Sequence, residues 1–91
     1  MTLKIEIASD GETATFRLCG QIDQDHLFEL QAEVLRYRPR LVFDLAETTL
    51  VDLAAVRFLA AYEGDGAELL RCPRYIREWI VRERSQGTQG H

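Results

Sequence analysis

The segment from residue 40 to residue 59, RLVFDLAETTLVDLAAVRFL, constrains the fold of this chain more than any other. It opens with a short apolar run at residues 41–43, which is typical of a strand buried on both faces. A polar turn is predicted at residues 47–49. A helix is then predicted to begin at Leu53 with Asp52 as its N-cap, since a carboxylate there accepts hydrogen bonds from unpaired backbone N–H groups. Because sites in α/β folds gather where strands end, we expect the functional site around Asp52.

Two strands are predicted before this segment. Apolar and polar residues alternate over residues 3–7 and again over residues 13–19, which is the period of a half-buried strand. The pair Asp10-Gly11 between them is a strong hairpin signal. These two strands are therefore predicted to pair antiparallel.

Three helices are predicted from apolar residues at helical spacing. The first has candidate caps at residues 23–25 and is stopped by Pro39, because the residue before a proline avoids the helical region. The second ends at Gly64 and Gly66, which suit a left-handed cap. The side chains expected on the buried faces are Leu27, Leu30, Val34 and Tyr37 in the first helix, Leu53, Val56, Leu59 and Ala60 in the second, and Ile76, Trp79 and Ile80 in the third.

A fourth short strand is predicted at residues 67–72, and Pro73 suits the first turn of the third helix, residues 74–83. The order is then β-β-α-β-α-β-α, and helical crossovers between strands make the later strands parallel. We predict an α/β fold with a mixed four-stranded sheet, in which the first strand is antiparallel, and about three helices. Residues 1–84 are expected to form a single domain, and residues 85–91 a disordered polar tail.

The composition argues against several classes of function. The chain is 46% hydrophobic and 29% charged, as in an ordinary globular protein. Its formal net charge is −4, and residues 1–67 carry 6 basic against 12 acidic side chains. This acidic body argues against nucleic-acid binding, which needs a basic footprint. No apolar run reaches the roughly 18 residues of a membrane span, and the start lacks a signal-peptide pattern, so a cytoplasmic protein without direct membrane insertion is expected.

No catalytic constellation is visible in the sequence, so we expect no enzyme, no metal and no cofactor. His26 has no partner at metal-ligand spacing and is expected to be an exposed first-turn histidine. Cys19 and Cys72 are expected to be buried free thiols. A reactive Cys72 is the alternative, because Arg71, Arg74 and a helix start lie beside it and positive surroundings lower a thiol pKa.

The third predicted helix carries two aromatic side chains, Tyr75 and Trp79, among the arginines Arg74, Arg77 and Arg82. Two interpretations stay open. The helix closes the core and leaves its arginines solvated, or its aromatic side chains form a docking surface.

The order of elements and several short motifs resemble the STAS domain, the fold of bacterial anti-sigma factor antagonists and of the cytoplasmic ends of sulfate transporters. The resemblance covers residues 3–84. The motifs are FRLCGQID at residues 16–23, similar to the family's L-x-G-x-[ILV]-D, VFDL at 42–45, LVD at 50–52 and GAEL at 66–69.

The resemblance implies a phosphorylated serine directly after Asp52, in a D-S-x-G turn. This chain has Leu53, Ala54 and Ala55 there, so the acceptor hydroxyl is absent and we identify it as a degenerate member without the phosphoserine switch. An apolar Leu53 on the surface would resemble the permanently dephosphorylated, binding-competent state. The alternative is that Leu53 packs into the core.

The leading functional interpretation is a non-enzymatic, regulatory protein-interaction module of a bacterial cytoplasm. It would dock a partner through the loop at Asp23 and the turn and helix at Asp52. The resemblance implies an anti-sigma kinase-like partner or an ABC ATPase-like partner, the chain then being the small subunit of a lipid-transport system. The rival interpretation is a small-molecule or redox sensor, acting near Asp52 or at Cys72. The residues predicted to bind the partner are Asp23, Gln24, Asp52, Leu53, Ala54, Val56 and Arg57.

Overall fold

A β-hairpin opens the part of the chain that the structure, a computed structural model, describes. The description covers the backbone of residues 3–37 and 40–89, with side chains up to residue 85. β1 (Leu3–Ser9) and β2 (Thr13–Ile22) pair antiparallel, as predicted. The Asp10 carboxylate accepts hydrogen bonds from two backbone N–H groups of the turn, and Gly11 takes a φ of 92° that suits glycine.

β2 lies at the centre of a five-stranded sheet. β3 (Arg40–Asp44) pairs parallel with the first half of β2. β4 (Thr48–Val51) pairs parallel with the last three residues of β2, with a register shift between Gly20 and Gln21. β5 (Glu68–Leu70) pairs parallel with β3, so the order is β1-β2-β3-β5 with β4 beside β2. The predicted fold class is confirmed: the sheet is mixed, with an antiparallel first strand and parallel later strands.

The described residues form five strands rather than the predicted four. Residues 48–49, predicted as a polar turn, begin β4. Thr48 is 6% exposed, and its hydroxyl donates a 2.7 Å hydrogen bond to the carbonyl of Leu18. β2 has ten residues and is therefore long enough to carry β3 and β4 in tandem. Threonine also suits a strand, because its β-branched side chain packs well on a pleated surface.

Three helices cover one face of the sheet: α1 (Gln24–Val34), α2 (Leu53–Gly64) and α3 (Arg74–Gln89). α1 ends several residues before Pro39, which lies outside the described residues. α3 continues past the predicted end at residue 83, because an established helix gains one hydrogen bond for each residue added. The predicted tail therefore starts within α3, and its last two residues, 90–91, lie outside the described part. β5 is shorter than predicted, since Arg71 takes a φ of 50° directly after it.

The core lies between the sheet and the three helices. β2 turns Ala14, Phe16 and Leu18 towards it, and alternate residues such as Arg17 point to the opposite face. The side chains predicted to lie on the buried faces of the helices largely lie in this core. The exception is in α2, where Leu53 was expected to be buried but Ala55 is buried instead. The helical side chains that are buried in the core are Leu30 and Val34 of α1, Ala55, Val56 and Leu59 of α2, and Ile76 and Ile80 of α3.

Candidate functional site

Asp52 lies between β4 and α2 and contacts the first turns of two helices. Its Oδ1 accepts a 2.9 Å hydrogen bond from the backbone N–H of Ala55, which confirms the predicted N-cap of α2. Its Oδ2 accepts a 2.9 Å hydrogen bond from the backbone N–H of Gln24, the first residue of α1. Its own N–H donates to the carbonyl of Ile22 at the end of β2. Both helix N-termini carry partial positive charge, which a carboxylate stabilises.

Asp23 is the N-cap of α1 and the second acidic residue of the predicted site. Its Oδ1 accepts a 3.2 Å hydrogen bond from the backbone N–H of His26. The imidazole Nδ1 of His26 lies 2.9 Å from the same oxygen, although without hydrogen-bond geometry. His26 was expected to be exposed. It is instead partly buried, because its ring folds back onto the cap of its own helix.

The predicted partner-binding residues divide by exposure. Gln24 and Arg57 are exposed, and Ala54 is partly exposed. Leu53 is 40% exposed, so the alternative that it packs into the core is wrong. Val56 is 0% exposed, because the helical period places it on the core face of α2. Its prediction as a partner-binding surface residue is therefore wrong.

Arg57 is held by an ion pair across two helices. Its Nε lies 3.2 Å from Oε1 of Glu83 on α3. The guanidinium therefore joins the exposed side of α2 to α3 and stays at the surface.

The structure adds exposed apolar side chains that the sequence analysis had left without a role. Phe28 is 88% exposed and lies one turn after Gln24 on α1, on the same face of the helix. Leu50, in β4 two residues before Asp52, is 53% exposed. The signal for Phe28 was present in the sequence, because the helical period places it opposite Leu30, the buried residue of the same helix.

Cys72 does not have the character of a reactive thiol. It is a free, half-buried cysteine packed against the core. Burial raises its pKa, the charge of Arg77 lowers it by less, and the Glu63 carboxylate adds a smaller raising effect. The alternative of a reactive Cys72, with a thiol pKa lowered by Arg71 and Arg74, is therefore wrong. Cys19 is likewise free but half-buried rather than fully buried.

α3 contributes one aromatic side chain to the core and leaves another at the surface. Trp79 packs against the core, as the core-closing interpretation predicts. Tyr75 remains half-exposed, and its hydroxyl donates a 2.7 Å hydrogen bond to the carbonyl of Thr49 in β4. This bond ties the start of α3 to the strand that leads into Asp52.

The described part of the chain contains no group of three or more His, Cys, Asp or Glu side chains placed to hold a metal ion. It contains no helix long and apolar enough to cross a membrane. Two shallow surface grooves are present. One, of about 230 Å³, follows the hairpin at residues 8–15, and the other, of about 220 Å³, lies between β1 and α1. Neither is lined by a residue of the predicted partner-binding set.

The fold is similar to part of a solved structure, that of Mglu, with a TM-score of 0.60 and 18% sequence identity over 76% of this chain. The chain spans 19% of the length of that protein. An antisigma-factor antagonist STAS domain from Rhodobacter sphaeroides aligns with a TM-score of 0.48 and 20% identity, over 76% of this chain and 82% of that domain. No protein-family model matches the sequence, and no curated protein matches it.

The class of fold follows from the sheet and its helices. The antiparallel first strand, the parallel later strands and the three helices on one face form the STAS-like α/β arrangement that the sequence resemblance implied.

Proposed function

We propose that this chain is a non-enzymatic protein-interaction module that docks a regulatory protein partner around the starts of α1 and α2. The observation that carries the proposal is the position of Leu53. Its side chain is exposed at the first residue of α2, directly after the carboxylate that fixes both helix starts. The docking surface, as we define it, consists of Asp23, Gln24, Phe28, Leu50, Asp52, Leu53, Ala54 and Arg57.

The docking surface combines apolar side chains with a polar rim, which is the usual anatomy of a protein interface. Phe28 and Leu53 are large side chains that gain free energy on leaving water. The acidic Asp25 and the basic Arg57 are exposed beside them. A complementary partner offers apolar pockets for the two large side chains, with charged groups at the edge.

The backbone of this surface is held by hydrogen bonds within the chain. Asp52 hydrogen-bonds to the first turns of both α1 and α2, and Asp23 caps α1. A surface whose backbone is constrained in this way loses less conformational entropy on binding, so more of the contact free energy appears as affinity. We infer that Asp52 acts mainly by positioning Leu53 and Gln24.

Binding by this module does not depend on phosphorylation at the position after Asp52. Leucine at position 53 offers no hydroxyl for a phosphate. A phosphate there would add negative charge beside Asp52 and oppose an apolar contact. Control of the interaction then comes from the partner or from protein concentration. The two partner classes that we propose are an anti-sigma kinase-like protein and an ABC ATPase-like subunit.

The test compares two arginine substitutions in an affinity capture from a lysate that keeps its membranes. Leu53→Arg places a charge in the docking surface. Val81→Arg is the matched control, because Val81 is also an exposed apolar helical residue, but on α3. Captured proteins are identified by mass spectrometry, purified, and titrated against wild type and both variants. Circular dichroism and thermal melts verify that all three are folded.

The purified partner is expected to bind wild type and Val81→Arg with the same affinity. Its affinity for Leu53→Arg is expected to be at least about tenfold lower, in line with the loss of a buried apolar anchor. Equal binding to folded Leu53→Arg would contradict the proposal. Capture of no specific protein would also contradict it and favour the small-molecule sensor interpretation, which thermal-shift titration with nucleotides and lipids then tests.

A further inference from the structure

β1 forms an open edge of the sheet. Among the described residues its only strand partner is β2, from Leu3 opposite Gly20 to Ser9 opposite Ala14. The backbone N–H of Asp10 donates to the carbonyl of Thr13, which makes these two a hydrogen-bonded pair in the same register. Since such pairs alternate in an antiparallel ladder, the even-numbered residues of β1 point their N–H and C=O groups at β2. The odd-numbered residues point theirs outward.

The outward backbone groups belong to the same residues that form an apolar groove. The side chains of Leu3, Ile5 and Ile7 are partly buried on the core face of the sheet. With Glu29 and Glu33 of α1 they line the 220 Å³ groove beside the strand. Free hydrogen-bonding groups and incompletely covered apolar side chains therefore meet along one edge, which is the arrangement that accepts another strand.

The sequence of β1 is complementary to itself when two copies run antiparallel about Ile5. Ile5 then lies opposite Ile5 of the second copy, and Leu3 lies opposite Ile7, so the apolar positions pair. Lys4 lies opposite Glu6 and Glu6 opposite Lys4, which gives two ion pairs on the other face. The three odd positions are the hydrogen-bonded pairs of this register, in agreement with their outward N–H and C=O groups.

We propose that β1 of one copy pairs antiparallel with β1 of a second copy, joining two sheets into one across a two-fold axis centred on Ile5. Such an interface is isologous, since each contact between two different residues occurs twice. The charges select a copy of this chain as the occupant. Lys4 and Glu6 pair within one strand at 3.2 Å, and the two-fold operation lets the same charges pair between strands. The proposal uses no residue of the docking surface and is independent of it.

The experiment measures self-association by sedimentation over micromolar to millimolar concentrations, using charge variants at exposed positions. Lys4→Glu places like charges opposite each other in the pair, and Glu6→Lys does the same with the opposite sign. The double variant Lys4→Glu/Glu6→Lys restores opposite charges. Glu12→Lys is the matched control for Glu6→Lys, because it makes the same charge change in the exposed hairpin turn outside β1.

A concentration-dependent dimer is expected for wild type, for Glu12→Lys and for the double variant. Each single variant is expected to lose about tenfold in association constant, because two attractive cross-strand pairs become repulsive. An equimolar mixture of the two single variants is expected to form a heterodimer, since all four facing charges are then opposite. Circular dichroism verifies the fold of each variant.

Three results would overturn the proposal. The first is a wild-type chain that stays monomeric over the whole range. The second is a dimer that neither single variant weakens, which would place the interface elsewhere. The third is a failure of the mixed variants to associate, which would exclude the antiparallel register about Ile5.

Discussion

Asp52 Oδ2 accepts a 2.9 Å hydrogen bond from the backbone N–H of Gln24, a residue 28 positions earlier in the chain. The same carboxylate caps α2 through Ala55. One side chain therefore satisfies unpaired N–H groups at two helix N-termini and sets their relative position. Because Leu53 follows Asp52 directly, this link also positions an exposed large apolar residue of α2.

Replacing Asp52 is expected to cost more stability than replacing a cap that serves one helix. Asp52→Ala removes both hydrogen bonds, and we expect the free energy of unfolding to fall by about 2–3 kcal/mol. Asp23→Ala removes the side-chain cap of α1 only, and about 1 kcal/mol is expected. Urea unfolding of both variants measures the difference. Equal losses would show that the bond between Asp52 and Gln24 contributes little.

The ion pair between Glu63 and Arg77 joins α2 to α3 and makes the free energy of unfolding depend on pH. Two parallel hydrogen bonds, of 2.8 and 2.9 Å, connect the carboxylate and the guanidinium. The hydrogen bonds from Arg77 lower the pKa of Glu63, against the opposing effect of burial. A carboxyl group whose folded-state pKa is depressed stabilises the fold above its unfolded pKa and loses that contribution as pH falls through the folded value.

Glu63→Gln is therefore expected to lower the free energy of unfolding at neutral pH by about 1 kcal/mol, because the pair is partly solvated. The difference from wild type is expected to shrink as pH falls below the ordinary glutamate pKa of about 4.3, and to vanish only below the depressed pKa of Glu63 in the folded state. Urea unfolding across this pH range measures it. A difference that persists in acid would assign the loss to packing rather than to charge.

Arg71 combines a left-handed backbone with an ion pair to a buried carboxylate. Its φ is 50°, and its guanidinium contacts Asp44, which is buried at the end of β3. Burial raises the pKa of Asp44, but the N–H of Ala46 and the guanidinium of Arg71 together hold it below its ordinary value. The guanidinium of Arg71 thus balances the negative charge of the buried Asp44 carboxylate, while the backbone of Arg71 adopts an unfavourable conformation.

The two contributions of Arg71 are separable by paired substitutions. Arg71→Ala and Arg71→Gly both remove the ion pair, but only glycine adopts the left-handed conformation without a steric cost. We expect the glycine variant to be more stable than the alanine variant by about 1 kcal/mol. Thermal or urea unfolding gives the comparison. Equal stabilities would indicate that the backbone relaxes when the side chain is shortened.

Cys72 is expected to react slowly with thiol reagents. Burial raises the pKa of the thiol, so little thiolate is present at neutral pH. In the Cys19→Ser variant the labelling rate reports Cys72 alone, and its pH midpoint is expected to lie above that of an ordinary cysteine, about 8.5. Rapid labelling of the folded variant at neutral pH would revive the redox-sensor interpretation.

Features that depend on neighbouring residues were predictable from the sequence. The alternation of residues 3–7, the Asp10-Gly11 turn and the caps at Asp23 and Asp52 are local, because a strand face, a tight turn and a helix start are set within a few residues. The class of fold followed from the order of these elements. The same local signals located both acidic residues of the candidate site.

Features that depend on distant residues required the tertiary structure. Thr48 begins a strand only because the carbonyl of Leu18 accepts its hydroxyl and the long β2 offers an unpaired edge. The docking surface keeps Leu53 but not Val56, because the packing of α2 on the sheet decides which side of the helix is buried. The sequence by itself determined the β-hairpin, the three helices and the two caps. Only tertiary packing decided that Asp52 joins two helices, since Gln24 and Asp52 meet after the chain between them has folded.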